Sequence, residues 1–284
     1  MSALPRPAPA ASEAEFHLSA ADFARIRKLI HDRAGISLHE GKQAMVYSRL
    51  SRRLRETGDS SFGAYLDHLE RLSGAEAETE WQAFINCLTT NLTAFFREDH
   101  HFHALREDLQ ARRGRATRIW CNAASTGEEP YSLAMTVADT LGAGAAQVSL
   151  LCTDIDTNVL ATARRGVYAA DARGLSPELL RRHFMRGTGP NAGFIRVRPE
   201  LGKNIEFRPF NLMAPSWSPL GAPFDIVFCR NVMIYFDNPT QRRVLERMHA
   251  HMTPGGLLYV GHSENFTDSR DLFRLRGKTI YERV

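Results

Sequence analysis

Between residues 18 and 88 the apolar positions recur every three or four residues, the spacing of one buried helix face. Ser19 can cap the first such segment, which carries Phe23, Ile26, Leu29 and Ile30, and Gly35, Gly41, Gly58 and Gly74 punctuate those that follow. Nothing in this stretch alternates as a strand would, so it predicts a small all-helical N-terminal domain over 16–88. The segment before it, MSALPRPAPAASEAE, holds too few large apolar groups to offset the entropy of ordering them, which predicts a disordered tail over 1–15.

After about residue 113 the rhythm changes. Short apolar runs alternate with helical patterns: RIWCNAA, a helix over 130–141, VSLLCTDID, a helix over 158–165. That alternation is the signature of a parallel sheet with crossover helices. Residues 166–203 interrupt it with glycines, prolines, a short helical piece over 176–184 and the alternating run Phe194-Ile-Arg-Val-Arg198, which together predict a small antiparallel β-insertion. Strands over 205–210, 224–229 and 256–260 and a helix over 239–252, capped by Asn238, restore the pattern. Patches at 272–275 and 279–281 around a Gly277-Lys278 turn predict a closing antiparallel pair. The fold class is α/β, with the helical domain in front of a sheet domain over 89–284.

Composition adds little. Hydrophobic residues at 43% and charged residues at 24% are ordinary globular usage, which excludes a disordered or low-complexity chain. An excess of 36 basic over 32 acidic residues, +4 overall, invites an acidic partner without identifying it. Four cysteines without CxxC spacing suit a reducing cytoplasm, and no run approaches the ~20 apolar residues of a membrane span. His100, His101 and His103 cluster, but no acid or cysteine recurs beside them at metal-site spacing, so no metal is expected.

In such a sheet ligands bind beyond the carboxyl ends of the strands. The first strand runs into Asn122-Ala-Ala-Ser-Thr-Gly-Glu-Glu-Pro-Tyr131, where Glu128 and Glu129 stand in place of the further glycines of a GxGxxG loop. Those acids would repel a pyrophosphate and attract a cation. The second strand ends in Asp154, where nucleoside-binding sheets hold ribose hydroxyls. Ribose plus an ammonium without phosphate describes S-adenosyl-L-methionine. The plainer alternative is that Glu128 complements a helix N-terminus and Asp154 caps the next helix. The strand FDIVFC ends in Arg230-Asn231-Val-Met-Ile-Tyr235, without the Asn-Pro-Pro-Tyr of amino-methylating DNA enzymes.

The segments TTNLTAFFRE (89–98), ASTGEEPYSLA (124–134), CTDIDTNVL (152–160), FMRGTGP (184–190), FCRNVMIYFD (228–237) and GHSENF (261–266) closely resemble, in order and spacing, the bacterial chemotaxis-receptor glutamate methyltransferases of the CheR type. The resemblance implies a helical N-terminal domain and a Rossmann-like adenosylmethionine-dependent methyltransferase domain with a β-subdomain inserted between the second and third strands of the sheet. It implies methyl transfer from S-adenosyl-L-methionine to receptor glutamates, leaving S-adenosyl-L-homocysteine. Carried over by position, cofactor contacts fall on Asn91, Thr93, Arg97, Glu129 (the amino group), Asp154 (the ribose), Asn211 and Leu212 (the adenine), and Arg230 and Asn231. Arg97 and Tyr235 stand beside the reacting methyl, and Arg97 has two possible roles, toward the acceptor or toward the cofactor's own carboxylate.

On the predicted helix over 43–55, Tyr47, Leu50 and Leu54 share one face while Arg49, Arg52 and Arg53 lie opposite, with Arg55 at the border. The resemblance makes Arg49, Arg52 and Arg55 contacts for the acidic methylation helices of receptors. It makes Arg186, Gly187 and Arg196 contacts for a receptor C-terminal peptide added as a strand to the β-insertion. The expectation is a cytoplasmic monomer that associates with membrane receptors and with no nucleic acid. The rivals are an RNA or small-molecule methyltransferase and a catalytically silent adaptor.

Overall fold

The computed structural model describes residues 15–284, so the tail predicted over 1–15 lies, except for Glu15, outside the described residues. Helices α1 (Ala20–Ala34), α2 (Gln43–Thr57), α3 (Phe62–Arg71) and α4 (Gly74–Leu88) build the N-terminal domain. Ser19 caps α1 in a reciprocal box with Asp22, and Gly35 ends it in a left-handed turn. The apolar stripes meet in one core that includes Ile26, Ile30, Leu50, Leu54, Phe62 and Phe84. One predicted arginine sits differently from its neighbours. Arg53 turns inward, its Nε 2.9 Å from the buried Glu80 carboxylate, which also accepts the Tyr65 hydroxyl at 2.8 Å. A wheel drawn at 100° per residue places Arg53 beside Arg49 and Arg52, but the reach of its side chain to α4 decides its environment.

The rest of the chain runs α5 (His100–Ala111), β1 (Thr117–Cys121), α6 (Glu128–Leu141), β2 (Val148–Asp154), α7 (Thr157–Arg165), β3 (Val167–Ala169), α8 (Pro177–His183), β4 (Phe184–Arg186), β5 (Phe194–Val197), α9 (Pro199–Gly202), β6 (Ile205–Pro209), β7 (Phe224–Cys229), α10 (Asn238–Ala250), β8 (Met252–Val260), β9 (Phe273–Gly277) and β10 (Ile280–Arg283). A seven-stranded sheet in the order β6-β2-β1-β7-β8-β10-β9 forms the core layer. Its first five strands are parallel and the last two close it antiparallel. Strand order reverses between β1 and β7, the switch point where such sheets open a crevice. The insertion is a separate three-stranded antiparallel sheet, β3-β5-β4, lying in sequence between β2 and β6.

Two caps differ from the sequence reading. Asp237, not Asn238, caps α10, its carboxylate accepting from Thr240 N at 2.9 Å. Asp156 rather than Asp154 caps α7, with Asn158 N 2.9 Å from its Oδ1. Asp154 is thereby released from the structural task that the plainer alternative gave it.

The helical domain is seated on the carboxyl rim of the sheet. Ile36 forms a β-bridge with Phe236, Ser37 N donates to Tyr235 O at 2.8 Å, and Asn211 Nδ2 donates to Arg33 O at 2.7 Å. Gln82 reaches Ile155 O at 2.8 Å, and His31 lies 2.9 Å from Asp237.

Candidate functional site

At that rim lies a cavity of about 360 Å³, floored by the strand ends of β1, β2, β6 and β7 and roofed by the segment joining α1 to α2. It gathers Asn91, Thr93, Arg97, Glu129, Asp154, Asn211, Leu212, Arg230, Asn231 and Tyr235, which lie apart in sequence. Glu128 is not among the lining residues and accepts Thr126 Oγ1 at 2.6 Å instead, so the two adjacent acids separate by direction. Arg49, Arg52, Arg55, Arg186, Gly187 and Arg196 all lie elsewhere.

The loop from β1 to α6 turns at Gly127 with φ of +103°, and a Cβ there would stand 2.6 Å from Tyr168 Oη and 3.0 Å from Ala163 Cα. Only glycine fits both the backbone and the space. Glu129, in the first turn of α6, is 9% exposed and accepts the Cys121 thiol at 3.3 Å. It also pairs with Arg230, itself 4% exposed. Asp154 takes Ser125 N at 2.8 Å on Oδ2 and Asp156 N at 2.9 Å on Oδ1, which leaves a lone pair on each oxygen. Burial pushes its carboxyl up to about 6 in spite of those N–H groups.

Four side chains do work the sequence did not reveal. Glu264 is buried and accepts from Asn231, Val232, Met233 and Gly261 main-chain N–H groups at 2.6 to 2.9 Å, which fixes the Arg230–Tyr235 loop. Burial raises its carboxyl above the usual carboxylate range although those donors pull the other way. Asp156 joins the N-terminal loop to the sheet by accepting Thr89 Oγ1 at 2.6 Å and Asn91 Nδ2 at 2.9 Å. Glu98 stands 3.1 Å from Arg230, and His101 is fully buried behind it. GHSENF and TTNLTAFFRE contain two of these residues, but a buried carboxylate that collects four N–H groups leaves no spacing signature in a sequence.

Two predicted contacts already hold partners within the protein. One Asn211 amide N–H donates to Arg33 O at 2.7 Å and its Oδ1 accepts from Met213 N at 2.8 Å, which leaves one N–H and one lone pair for an adenine edge. The Asn91 amide nitrogen likewise donates to Asp156. Tyr235, half-buried, has no side-chain hydrogen bond among the described residues, and Arg97 Nη1 donates to Leu92 O at 2.9 Å. Outside the glycines, positive φ among the described residues falls on Ser125 and Asn231 in the cavity lining, on Phe96 and Glu98 to either side of Arg97, and on Lys278 and Thr279. Strained backbone of this kind persists where surrounding contacts over-determine it, and it collects at functional sites.

The donor set fits a cationic nucleoside. Around Arg230 the two acids Glu98 and Glu129 leave one net negative charge, with Arg97 and Lys42 elsewhere in the lining, Asp154 offers paired acceptors for a diol, and Ile155, Phe210 and Leu212 supply an apolar slot. No described group of His, Cys, Asp and Glu is arranged for a metal ion, and Cys121 and Cys229 are fully buried with thiols raised far from the reactive range, by a hydrogen bond to Cys152 and by burial respectively.

Comparison with known proteins agrees with this chemistry. Residues 91–281 match the family described as CheR methyltransferase, SAM binding domain, and residues 21–89 match CheR methyltransferase, all-alpha domain. The chain is 53% identical to a chemotaxis protein methyltransferase of Escherichia coli strain K12, over 93% of this chain and 91% of that one. It is 51% identical to chemotaxis protein methyltransferase 2 of Pseudomonas aeruginosa, over 97% of each. With both domains matched and the cavity supplying what S-adenosyl-L-methionine requires, the chain belongs to the CheR family of S-adenosyl-L-methionine-dependent chemotaxis methyltransferases.

Proposed function

We propose that this cavity holds S-adenosyl-L-methionine and that the protein uses it to esterify glutamate side chains on the cytoplasmic helices of chemotaxis receptors. The observation that carries the reading is the convergence of Glu129, Asp154, Arg97 and Tyr235 on one cavity beneath the helical domain. When bound, the donor supplies an electrophilic methyl group on a sulfonium. Glu129 takes its ammonium, Asp154 its ribose hydroxyls, and the slot at Ile155, Phe210 and Leu212 its adenine. Asn91, Thr93, Asn211, Arg230 and Asn231 complete the wall.

A glutamate acceptor needs no general base, because its pKa of about 4.3 leaves it ionised at neutral pH. The residues then have to align oxygen, carbon and sulfur, a task that supplies roughly 7 to 11 kcal/mol in well-oriented systems. Tyr235 carries it, since its unpartnered hydroxyl can donate to one acceptor oxygen. Arg97 serves the donor's carboxylate, because an arginine clamped on the incoming anion would stabilise the ground state more than a transition state whose charge is fading.

Arg49, Arg52 and Arg55 form the receptor-facing side of α2. Among the described residues Arg52 and Arg55 are exposed and paired with Glu56 and Glu15, exchangeable surface contacts. Arg49 touches Thr90 Oγ1 at 3.3 Å, which joins that face to the cavity's own loop. A receptor's terminal peptide docks on the insertion. There Val167 and Met185 flank Arg196 in register, and all three share an outer face with Phe194, whose exposure is 50%. Exposed apolar surface of that kind marks a binding face, and β3 and β4 are its free edges. Gly187 belongs there because a Cβ would stand 2.0 Å from Asn191 O.

No described helix is long and apolar enough to cross a membrane. Incubation with methyl-labelled donor and receptor-bearing membranes should label receptor protein in a form that mild alkali releases. Label in RNA, or label stable to alkali, would refute the assignment.

A further inference from the structure

Arg230 is held between two carboxylates. One guanidinium nitrogen pairs with Glu129, and the other lies 3.1 Å from Glu98 Oε2 and donates to Arg97 O at 2.6 Å. Arg230 and Glu129 line the cavity, while Glu98 is outside the lining with its side chain 12% exposed. Burial is the largest influence on the Glu98 carboxyl and works to raise it, but the Arg230 charge, the Arg230 hydrogen bond and the His262 main-chain N–H together outweigh it and hold the group below its ordinary value, so Glu98 is an anion at neutral pH. The groups behind it add no compensating cation. His101, 3.7 Å away, is buried and pushed down to about 3, hence neutral, and its other nitrogen is bound to Thr279 at 2.9 Å. His262, 3.9 Å away, is largely exposed. Glu98 keeps this place at the expense of a φ of +57°.

We propose that Glu98 is a positioning residue of the donor site, cancelling the charge of Arg230 so that Glu129 presents an uncompensated negative charge to the donor's ammonium. The inference rests on the reading of Glu129 as the ammonium's partner. Without Glu98, Glu129 and Arg230 are a neutral pair, and the ammonium loses the attraction of their net negative charge. Arg230 would also lose one of the two acids that hold its fork on the Arg97 main chain.

The test compares two ligands by calorimetric titration: S-adenosylhomocysteine, which carries the amino acid, and methylthioadenosine, which lacks it. Glu98→Gln should weaken the first about tenfold, the effect of one charge over ~10 Å at an effective dielectric of ~20, and leave the second within about twofold. Glu98→Asp, which keeps the charge, should preserve the wild-type ratio of the two affinities, and this holds as a test even if the glutamine variant does not fold. Equal loss of both ligands would mean a merely structural role, and unchanged S-adenosylhomocysteine binding, or a collapsed ratio in the aspartate variant, would equally overturn the proposal. Glu129→Gln separates the two readings. If it loses S-adenosylhomocysteine selectively while Glu98→Gln does not, only the role of Glu98 fails; if it treats both ligands alike, the assignment of Glu129 fails.

Discussion

Replacing Asp154 with Asn should remove the pH dependence of donor binding between pH 5 and 7. Burial sets the Asp154 carboxyl at about 6 in the free protein, and ribose hydroxyls donate far better to the ionised form. About 90% of that form is present at pH 7 and about 10% at pH 5, so affinity should fall about tenfold, or ~1.4 kcal/mol, across that span. The asparagine variant lacks a charge-assisted acceptor worth about 1.5–3 kcal/mol and should bind about 10- to 150-fold more weakly at pH 7, with no inflection near 6. Stability runs the other way. The folded pKa lies above the ordinary 3.8, so the ionised group costs the free fold about 3 kcal/mol at neutral pH, a cost that fades as pH falls from about 6 to about 4. Titration calorimetry with S-adenosylhomocysteine, whose ammonium and carboxylate keep their charges between pH 5 and 7, measures the binding side directly. A wild-type profile flat through pH 6, or an inflection that survives in Asp154→Asn, would refute the reasoning.

Tyr235→Phe should lower turnover at least tenfold with donor affinity nearly unchanged, and parallel measurement of single-turnover rate and binding checks it; a large loss of binding would count against the phenol's role. Arg52→Glu should reduce methylation of intact receptors while leaving donor binding intact and stability within about 1 kcal/mol, since its partner is a surface contact; equal effects on methylation and donor binding would remove α2 from docking. Arg53→Ala, one position along, should instead destabilise the protein by about 3–5 kcal/mol by leaving Glu80 buried without its cation, which urea unfolding would show.

Much of the fold was legible because local chemistry and tertiary structure agree. The cap at Ser19, the glycine stop at Gly35 and the alternation around β5 each carry a one-dimensional signal that packing then uses. What was not legible depends on side-chain reach or on long-range pairing. Arg53 belongs on the basic face by angle and in the core by contact. That one N–H of Asn211 goes to the Arg33 carbonyl, far away in sequence, shows only in the folded chain. The participation of the 34–42 segment in the cavity follows from the seating of the helical domain on the sheet, through Ile36 and Ser37, and no periodicity encodes that seating. The acids divide similarly: Glu129 and Asp154 stand at strand ends where chemistry is expected, whereas Glu98 and Glu264 act on guanidinium and main-chain groups that only the folded chain brings near.

The central claim is that the acceptor atom is a glutamate carboxylate oxygen. Peptide mapping by mass spectrometry of a receptor cytoplasmic fragment after reaction with the purified protein and S-adenosyl-L-methionine tests it most directly. The account predicts one added methyl per modified site, carried as an ester on glutamate side chains in helical segments rich in acidic residues, and lost from the Tyr235→Phe reaction at equal time. Methylation on lysine, cysteine or a main-chain terminus, or an unmodified fragment alongside a methylated small molecule, would contradict it.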